Sequence, residues 1–159
     1  CIRDITEGNA VVREKGKGKM TVLNYLKYKN PRVLYLWLGQ NDIKNHFADN
    51  VLQTYNEALN ILIEALPHTL FYLFEMAPLN EKKEGARTSL TSKNVNDFNA
   101  GLHVLAEKHN VYVAAIHDLL IDSNGAMPSI LVCNDNFHLS KLGHILVADY
   151  IRTHTLSLE

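Results

Sequence analysis

Three short apolar segments alternate with longer amphipathic segments along the chain. The apolar segments are rich in β-branched and aromatic residues and hardly alternate with polar ones, which is typical of strands buried on both faces of a sheet. They cover Val33–Leu38, Leu70–Phe74 and Val111–Ile116. The pattern therefore predicts three buried strands.

In four other segments apolar residues recur every three or four positions, which predicts amphipathic helices. These segments are Met20–Lys29, Asp49–Leu66, Ser92–His109 and a last one that follows Ser140. A weaker segment, residues 1–12, could add a strand, although its pattern is poor. Strands alternate with helices throughout, so the chain predicts a mainly parallel sheet with helices on both faces, a three-layer α/β/α sandwich.

We expect one domain over residues 1–157, because no repeat, low-complexity tract or linker divides the chain. The final pair, Leu158-Glu159, is typical of a cloning site and is left out of the fold prediction. The polar stretch Asn80–Lys93 is predicted as one long loop. Loops at the carboxyl ends of parallel strands are where such sheets bind ligands.

Composition excludes several classes of protein. The 159 residues are 47% hydrophobic and 21% charged, as in an ordinary globular domain. Sixteen basic against seventeen acidic residues give a net charge of −1, which argues against a nucleic-acid partner. No apolar run approaches ~20 residues, so we expect no membrane span. The two cysteines do not form a disulfide framework, and no histidine pair has the spacing of metal ligands, so we expect no metal.

Two segments carry residues that suit chemistry. The first predicted strand runs directly into Gly39 and Asn41, where glycine permits a sharp turn and the asparagine presents an amide donor. The same residues also suit a turn that caps the next helix. Near the last helix, Asp135 precedes His138 by three residues and can accept from its Nδ1–H, leaving Nε2 as a base. A surface histidine beside a helix cap is the alternative.

Together these segments resemble the SGNH (GDSL-like) hydrolase family, over residues 16–153. Leu36–Ile43 is similar to the family's Gly-x-Asn-Asp block. Asp135–Gly143 is similar to its closing Asp-x-x-His-Leu-Ser-x-x-Gly block. The resemblance implies a flavodoxin-like sheet and the hydrolysis of small acyl or acetyl esters, of a carbohydrate or a lipid, without a cofactor.

The resemblance also implies a role for each matching residue. His138 would be the general base and Asp135 its orienting partner. Asn41 would donate to the oxyanion of a tetrahedral intermediate, and the backbone N–H of Gly18 is the candidate for the second donor.

The family's first block, Gly-Asp-Ser, has no clear match. Its nearest match is Ile5–Gly8, with Asp4 where the serine should stand. We therefore expect the nucleophilic serine outside the recognisable blocks, on a strand that precedes the chain. Cys133 is an alternative nucleophile, although its apolar neighbours are more typical of a buried cysteine, and Cys1 is another.

The missing block leaves a second function open, a non-catalytic SGNH-like binding or interaction domain. A flavodoxin-like regulatory or nucleotide-binding domain is a third reading, which the absence of a glycine-rich phosphate loop after a first strand disfavours.

Overall fold

A computed structural model describes residues 2–8, 11–16 and 18–155 of the chain. The expectations for Cys1 and for the pair Leu158-Glu159 lie outside the described residues. The helices and strands are α1 (Arg3–Thr6), β1 (Val11–Glu14), β2 (Gly18–Thr21), α2 (Val22–Lys29), β3 (Val33–Leu36), α3 (Ala48–Ala65), β4 (Leu70–Phe74), α4 (Ser92–His109), β5 (Tyr112–Ala114) and α5 (Lys141–His154). Short 3-10 turns cover Glu81–Lys83, Asp118–Leu120 and Ser129–Leu131.

The three predicted strands form one parallel sheet in the order β3-β4-β5. Tyr35, Tyr72 and Tyr112 are register partners, and their stacked rings lie with centroids 5.2 and 5.0 Å apart. Such cross-strand aromatic pairs stabilise a sheet beyond the area they bury. Tyr35 and Tyr112 are 40% and 43% exposed, so the two outer strands are not buried on both faces as expected.

Two apolar cores lie on opposite faces of this sheet. On one face, Leu36 and Leu73 of the strands pack with Leu62 of α3 and Phe98 of α4. The core of the other face includes Phe74, Ala114, Ile116, Leu120, Leu131 and Val147. The last of these belongs to α5. This arrangement confirms the predicted three-layer α/β/α sandwich.

The N-terminal part differs from the prediction. Residues 3–6 form a helical turn, and β1 and β2 pair as a separate antiparallel hairpin. Met20, predicted as helical, pairs with Val12 in this hairpin. Helix α2 begins only at Val22, because the side chain of Thr21 caps it by accepting from the N–H of Asn24 at 3.2 Å.

The predicted long loop, residues 80–93, is held closely to the body of the protein. Asn80 is buried and its Nδ2 donates to the carbonyl of Met127 at 2.7 Å. Ser89 is also buried, and its carbonyl accepts from Nδ2 of Asn94 at 2.7 Å. Among the described residues, no helix has the length and hydropathy that a membrane crossing requires.

Candidate active site

The turn after β3 depends on Gly39. Its φ of +102° is a conformation that L residues with a side chain rarely adopt. A Cβ at this position would lie 2.5 Å from Cε of Met76 and 3.1 Å from Cζ of Phe98, both fully buried. Backbone and packing therefore both require glycine. The turn places Asn41 at the carboxyl edge of the sheet.

The side chain of Asn41 is oriented by a lysine. Its Oδ1 accepts from Nζ of Lys44 at 2.8 Å, so the Nδ2 amide remains as the donor for a ligand. The same Nζ lies 4.0 Å from the ring centroid of Phe137, a cation–π distance. Lys44 thereby connects the segment that follows β3 to the segment that precedes α5.

Asp135 organises the turn that carries His138. Its Oδ1 accepts from the backbone N–H groups of Phe137 and His138, each at 3.0 Å. The N–H of Cys133 donates to the carbonyl of His138 at 2.8 Å and closes the turn. Asn136, which follows Asp135 in this turn, has a φ of +55°, a left-handed conformation that asparagine tolerates better than most residues.

The second oxygen of Asp135 pairs with the histidine ring. Oδ2 contacts Nδ1 of His138, and this bond, together with the backbone N–H groups of His138 and Phe137, holds the pKa of Asp135 well below its usual range. An ionised carboxylate only accepts, so Nδ1 carries a proton. In the neutral form of the ring, Nε2 is then the nitrogen that is free to act as a base.

Asn41 and His138 line one cleft of about 210 Å³ at the carboxyl edge of the sheet. The other residues that line it are Trp37, Gln40, Ala77, Phe137, Leu139 and His144. Most of the wall is apolar. The Oε1 atom of Gln40 is buried without a hydrogen-bond partner among the residues that the structure describes.

Gly18, the candidate for the second oxyanion donor, lies elsewhere. It is an exposed residue of β2, paired with Glu14 across the hairpin. It is not among the residues that line the cleft of Asn41 and His138. The structure therefore does not bring it together with them, and its role stays a prediction.

Within the described ranges, no serine lines the cleft. Ser140 caps α5, since its Oγ accepts from the N–H of Gly143 at 3.3 Å and donates to the carbonyl of Ile130 at 2.8 Å. Cys133 is exposed, contrary to its expected burial, and its Sγ donates to the carbonyl of Leu139 at 3.2 Å. Cys133 is not a residue of the cleft wall either.

Sequence reasoning missed the residues that complete the site. Gln40 precedes Asn41 directly, and Lys44 follows it by three residues. The contact between Lys44 and Asn41 has one local signal, a lysine three residues after an asparagine on a turn. Asn99 of α4 holds the backbone that follows β4. It is buried, and its amide accepts from the N–H of Met76 at 2.8 Å and donates to the carbonyl of Met76 at 3.1 Å.

Solved structures with the same architecture cover most of this chain. A protein from Streptococcus pneumonia described as a platelet activating factor matches with a TM-score of 0.70 at 20% identity, over 83% of this chain and 67% of its own. A protein from Bacteroides fragilis described as an acylhydrolase gives 0.69 at 16% identity, over 96% and 66%. A carbohydrate esterase family 3 protein from Talaromyces cellulolyticus gives 0.67 at 17% identity, over 94% and 63%.

The chain thus spans about two thirds of the length of these structural neighbours. No curated protein sequence matches it. The profile of the GDSL-like Lipase/Acylhydrolase family, in contrast, matches residues 7–146, which include both sequence blocks and the cleft between them. The chain therefore belongs to the GDSL-like Lipase/Acylhydrolase family.

Proposed function

We propose that the protein hydrolyses small carboxylic esters, with His138 as the general base, Asp135 as its orienting partner and Asn41 as an oxyanion donor. One observation carries this proposal: the ring of His138, held through Nδ1 by Asp135, lines the same cleft as the amide of Asn41. A base and an oxyanion donor that face one small space are the arrangement that acyl transfer requires.

The reaction follows from these positions. Nε2 of His138 takes the proton of a nucleophilic hydroxyl as its oxygen attacks the ester carbonyl. The carbonyl oxygen becomes negative and accepts from Nδ2 of Asn41, and a donor of this kind lowers the barrier by ~3 kcal/mol. The tetrahedral intermediate collapses, and His138 passes its proton to the departing alcohol oxygen. Water then attacks the acyl intermediate by the same two steps and releases the acid.

We propose a serine as the nucleophile, as is usual for this family. The serine must reach Nε2 of His138 from outside the described wall of the cleft, which holds no serine. The cleft is open at the side of His138, whose side chain is 68% exposed. A hydroxyl therefore has a free path to the imidazole.

The size of the cleft favours a short acyl group. Its volume of about 210 Å³ is below the ~300 Å³ at which sites for drug-sized ligands begin. Apolar walls suit the methyl end of an acetyl or similar group. A carbohydrate ester fits these features, in keeping with the Talaromyces neighbour, and a lipid ester with a short acyl chain is the other member of the class.

A binding domain without catalysis is the second candidate, and the absence of a serine from the described cleft wall favours it. A fluorophosphonate probe separates the two. The proposal predicts that the intact protein is labelled on one serine and loses its turnover of p-nitrophenyl acetate in step with labelling. A protein that binds esters in this cleft, takes up no label and shows no turnover is the binding domain instead.

A further inference from the structure

A second depression shares Phe137 and His138 with the cleft of the candidate active site. Its volume is about 230 Å³. It is lined by Lys44, Lys83, Ala86, Arg87, Leu90, Asp135, Phe137 and His138. We call it the cationic cleft, after its three basic side chains. We call the cleft of Asn41 and His138 the apolar cleft. Because Phe137 and His138 line both clefts, the two meet at the proposed general base.

The three basic side chains are not neutralised by acidic ones. Nζ of Lys44 contacts the amide of Asn41 and the ring of Phe137, and Nη1 of Arg87 donates to the neutral amide of Asn45. Among the described residues, no carboxylate forms an ion pair with any of the three. The chain as a whole carries a net charge of −1, so this concentration of positive charge is local.

The acidic groups nearby are engaged elsewhere. Asp135, which lines the cationic cleft, is paired with His138. Glu84 follows Lys83 in the chain, but it does not line the cationic cleft, and both of its oxygens accept from the backbone N–H of Ser92 at 2.9 Å. Glu81 lines a different depression together with Lys82. The cationic cleft therefore keeps a net positive charge.

We propose that the cationic cleft binds an anionic group of the substrate, a carboxylate or a phosphate, so that the protein prefers esters with a negative charge close to the scissile bond. This inference rests on the proposed function and names the substrate class of that same site. The acyl group occupies the apolar cleft, the ester lies against His138, and the anionic end extends between Lys83 and Arg87. Lysine and arginine bind these oxyanions by charge-assisted hydrogen bonds.

Binding of two acetate esters that differ only in the charge of the alcohol part tests the proposal. O-acetylglycolate carries one carboxylate on its alcohol part and its methyl ester is neutral, and both are titrated into the 159-residue chain while the amide resonances of Phe137 and His138 are followed by NMR. We expect the anionic ester to bind about tenfold more tightly, a difference of about 1.4 kcal/mol. Added salt should weaken the binding of the anionic ester alone.

The double variant Lys83→Gln/Arg87→Gln should lose most of the discrimination between the two esters. Lys82→Gln is the matched control, because Lys82 lies on the same 3-10 turn as Lys83 but faces the other depression. Lys44 is left unchanged because it also orients Asn41.

Equal affinity of the two esters for the unaltered protein would overturn the inference, and so would full discrimination by the double variant. The proposed function is tested separately by turnover of p-nitrophenyl acetate, which has no anionic group. Selective binding of the anionic ester without any turnover would contradict the proposed function but not the anion site.

Discussion

Replacing Gly39 with alanine tests whether the turn after β3 is set by both backbone and packing. The backbone has a φ of +102°, and the added Cβ would lie 2.5 Å from Cε of Met76 and 3.1 Å from Cζ of Phe98. Both neighbours are fully buried, so neither can move into solvent. The substitution therefore strains the main chain and crowds the core at the same point.

The two costs can be separated with a matched variant. Positive φ costs an L residue ~1–2 kcal/mol, and one extra methyl in a packed core costs ~1–3 kcal/mol, so Gly39→Ala should lower the free energy of unfolding by about 2–5 kcal/mol. Gly125 has a φ of +76° with nothing within 4 Å of an added Cβ. Gly125→Ala should therefore cost only the backbone part, ~1–2 kcal/mol.

Thermal and denaturant unfolding, followed by circular dichroism, measure both variants. At about 2–4 °C per kcal/mol for a chain of this size, Gly39→Ala should melt about 4–20 °C lower than the unaltered protein, and lower than Gly125→Ala. It should also reduce ester turnover, since it displaces Asn41. Equal melting temperatures for the two variants would refute the packing argument.

Three further predictions follow from single contacts. Asn99→Ala leaves the backbone N–H and C=O of Met76 without their buried partners, so it should lower the free energy of unfolding by about 2–4 kcal/mol in urea. Asn96→Ala, on the exposed face of the same helix, is the control and should change the free energy of unfolding little. Asn41→Ala should reduce kcat for p-nitrophenyl acetate by about 10²–10³ and leave the free energy of unfolding unchanged. A normal kcat would contradict the role of Asn41 as an oxyanion donor. The pKa of Asp135 is depressed in the folded state, so its contribution to stability is present above the usual carboxyl pKa near ~4 and is lost as the pH falls toward the folded pKa. The difference in unfolding free energy between the unaltered protein and Asp135→Asn should therefore shrink below about pH 4, and a pH-independent difference would contradict this.

Helix α4 shows what the sequence can specify. The predicted bounds, Ser92–His109, are the observed ones. Both ends carry local signals: Oγ1 of Thr91 accepts from the N–H of Asn94 at 3.1 Å, and Asn110 ends the helix with a φ of +52°. Where caps and an apolar stripe agree, neighbouring residues alone define the element.

The N-terminal hairpin shows the opposite case. β1 and β2 are only half-buried and carry no continuous apolar run, so their pattern predicts a strand only weakly in residues 1–12 and none in β2. What defines them is pairing across a turn that Gly16 permits with a φ of +79°. Cys133 was wrongly expected to be buried for a related reason. The chain turns back there, with Val132 bridged to Leu139, and leaves the thiol exposed.

The candidate site was predictable only in part. Asn41, Asp135 and His138 could be identified because each lies in a short segment that resembles a block of the SGNH (GDSL-like) hydrolase family. The link that Lys44 makes between the two segments could not, because it comes from a contact with Phe137, far along the chain. Such contacts exist only after folding, so a pattern of neighbouring residues does not contain them.

The central claim, that His138 is the base of an esterase, is tested most directly by the kinetics of His138→Ala on the intact protein with p-nitrophenyl acetate. The control is His68→Ala, which changes an exposed histidine in the turn that precedes β4, away from the cleft. We predict that His138→Ala lowers kcat/KM by about 10²–10⁴ while its unfolding stays normal and His68→Ala keeps full activity. Turnover by His138→Ala at the rate of the unaltered protein would contradict the account.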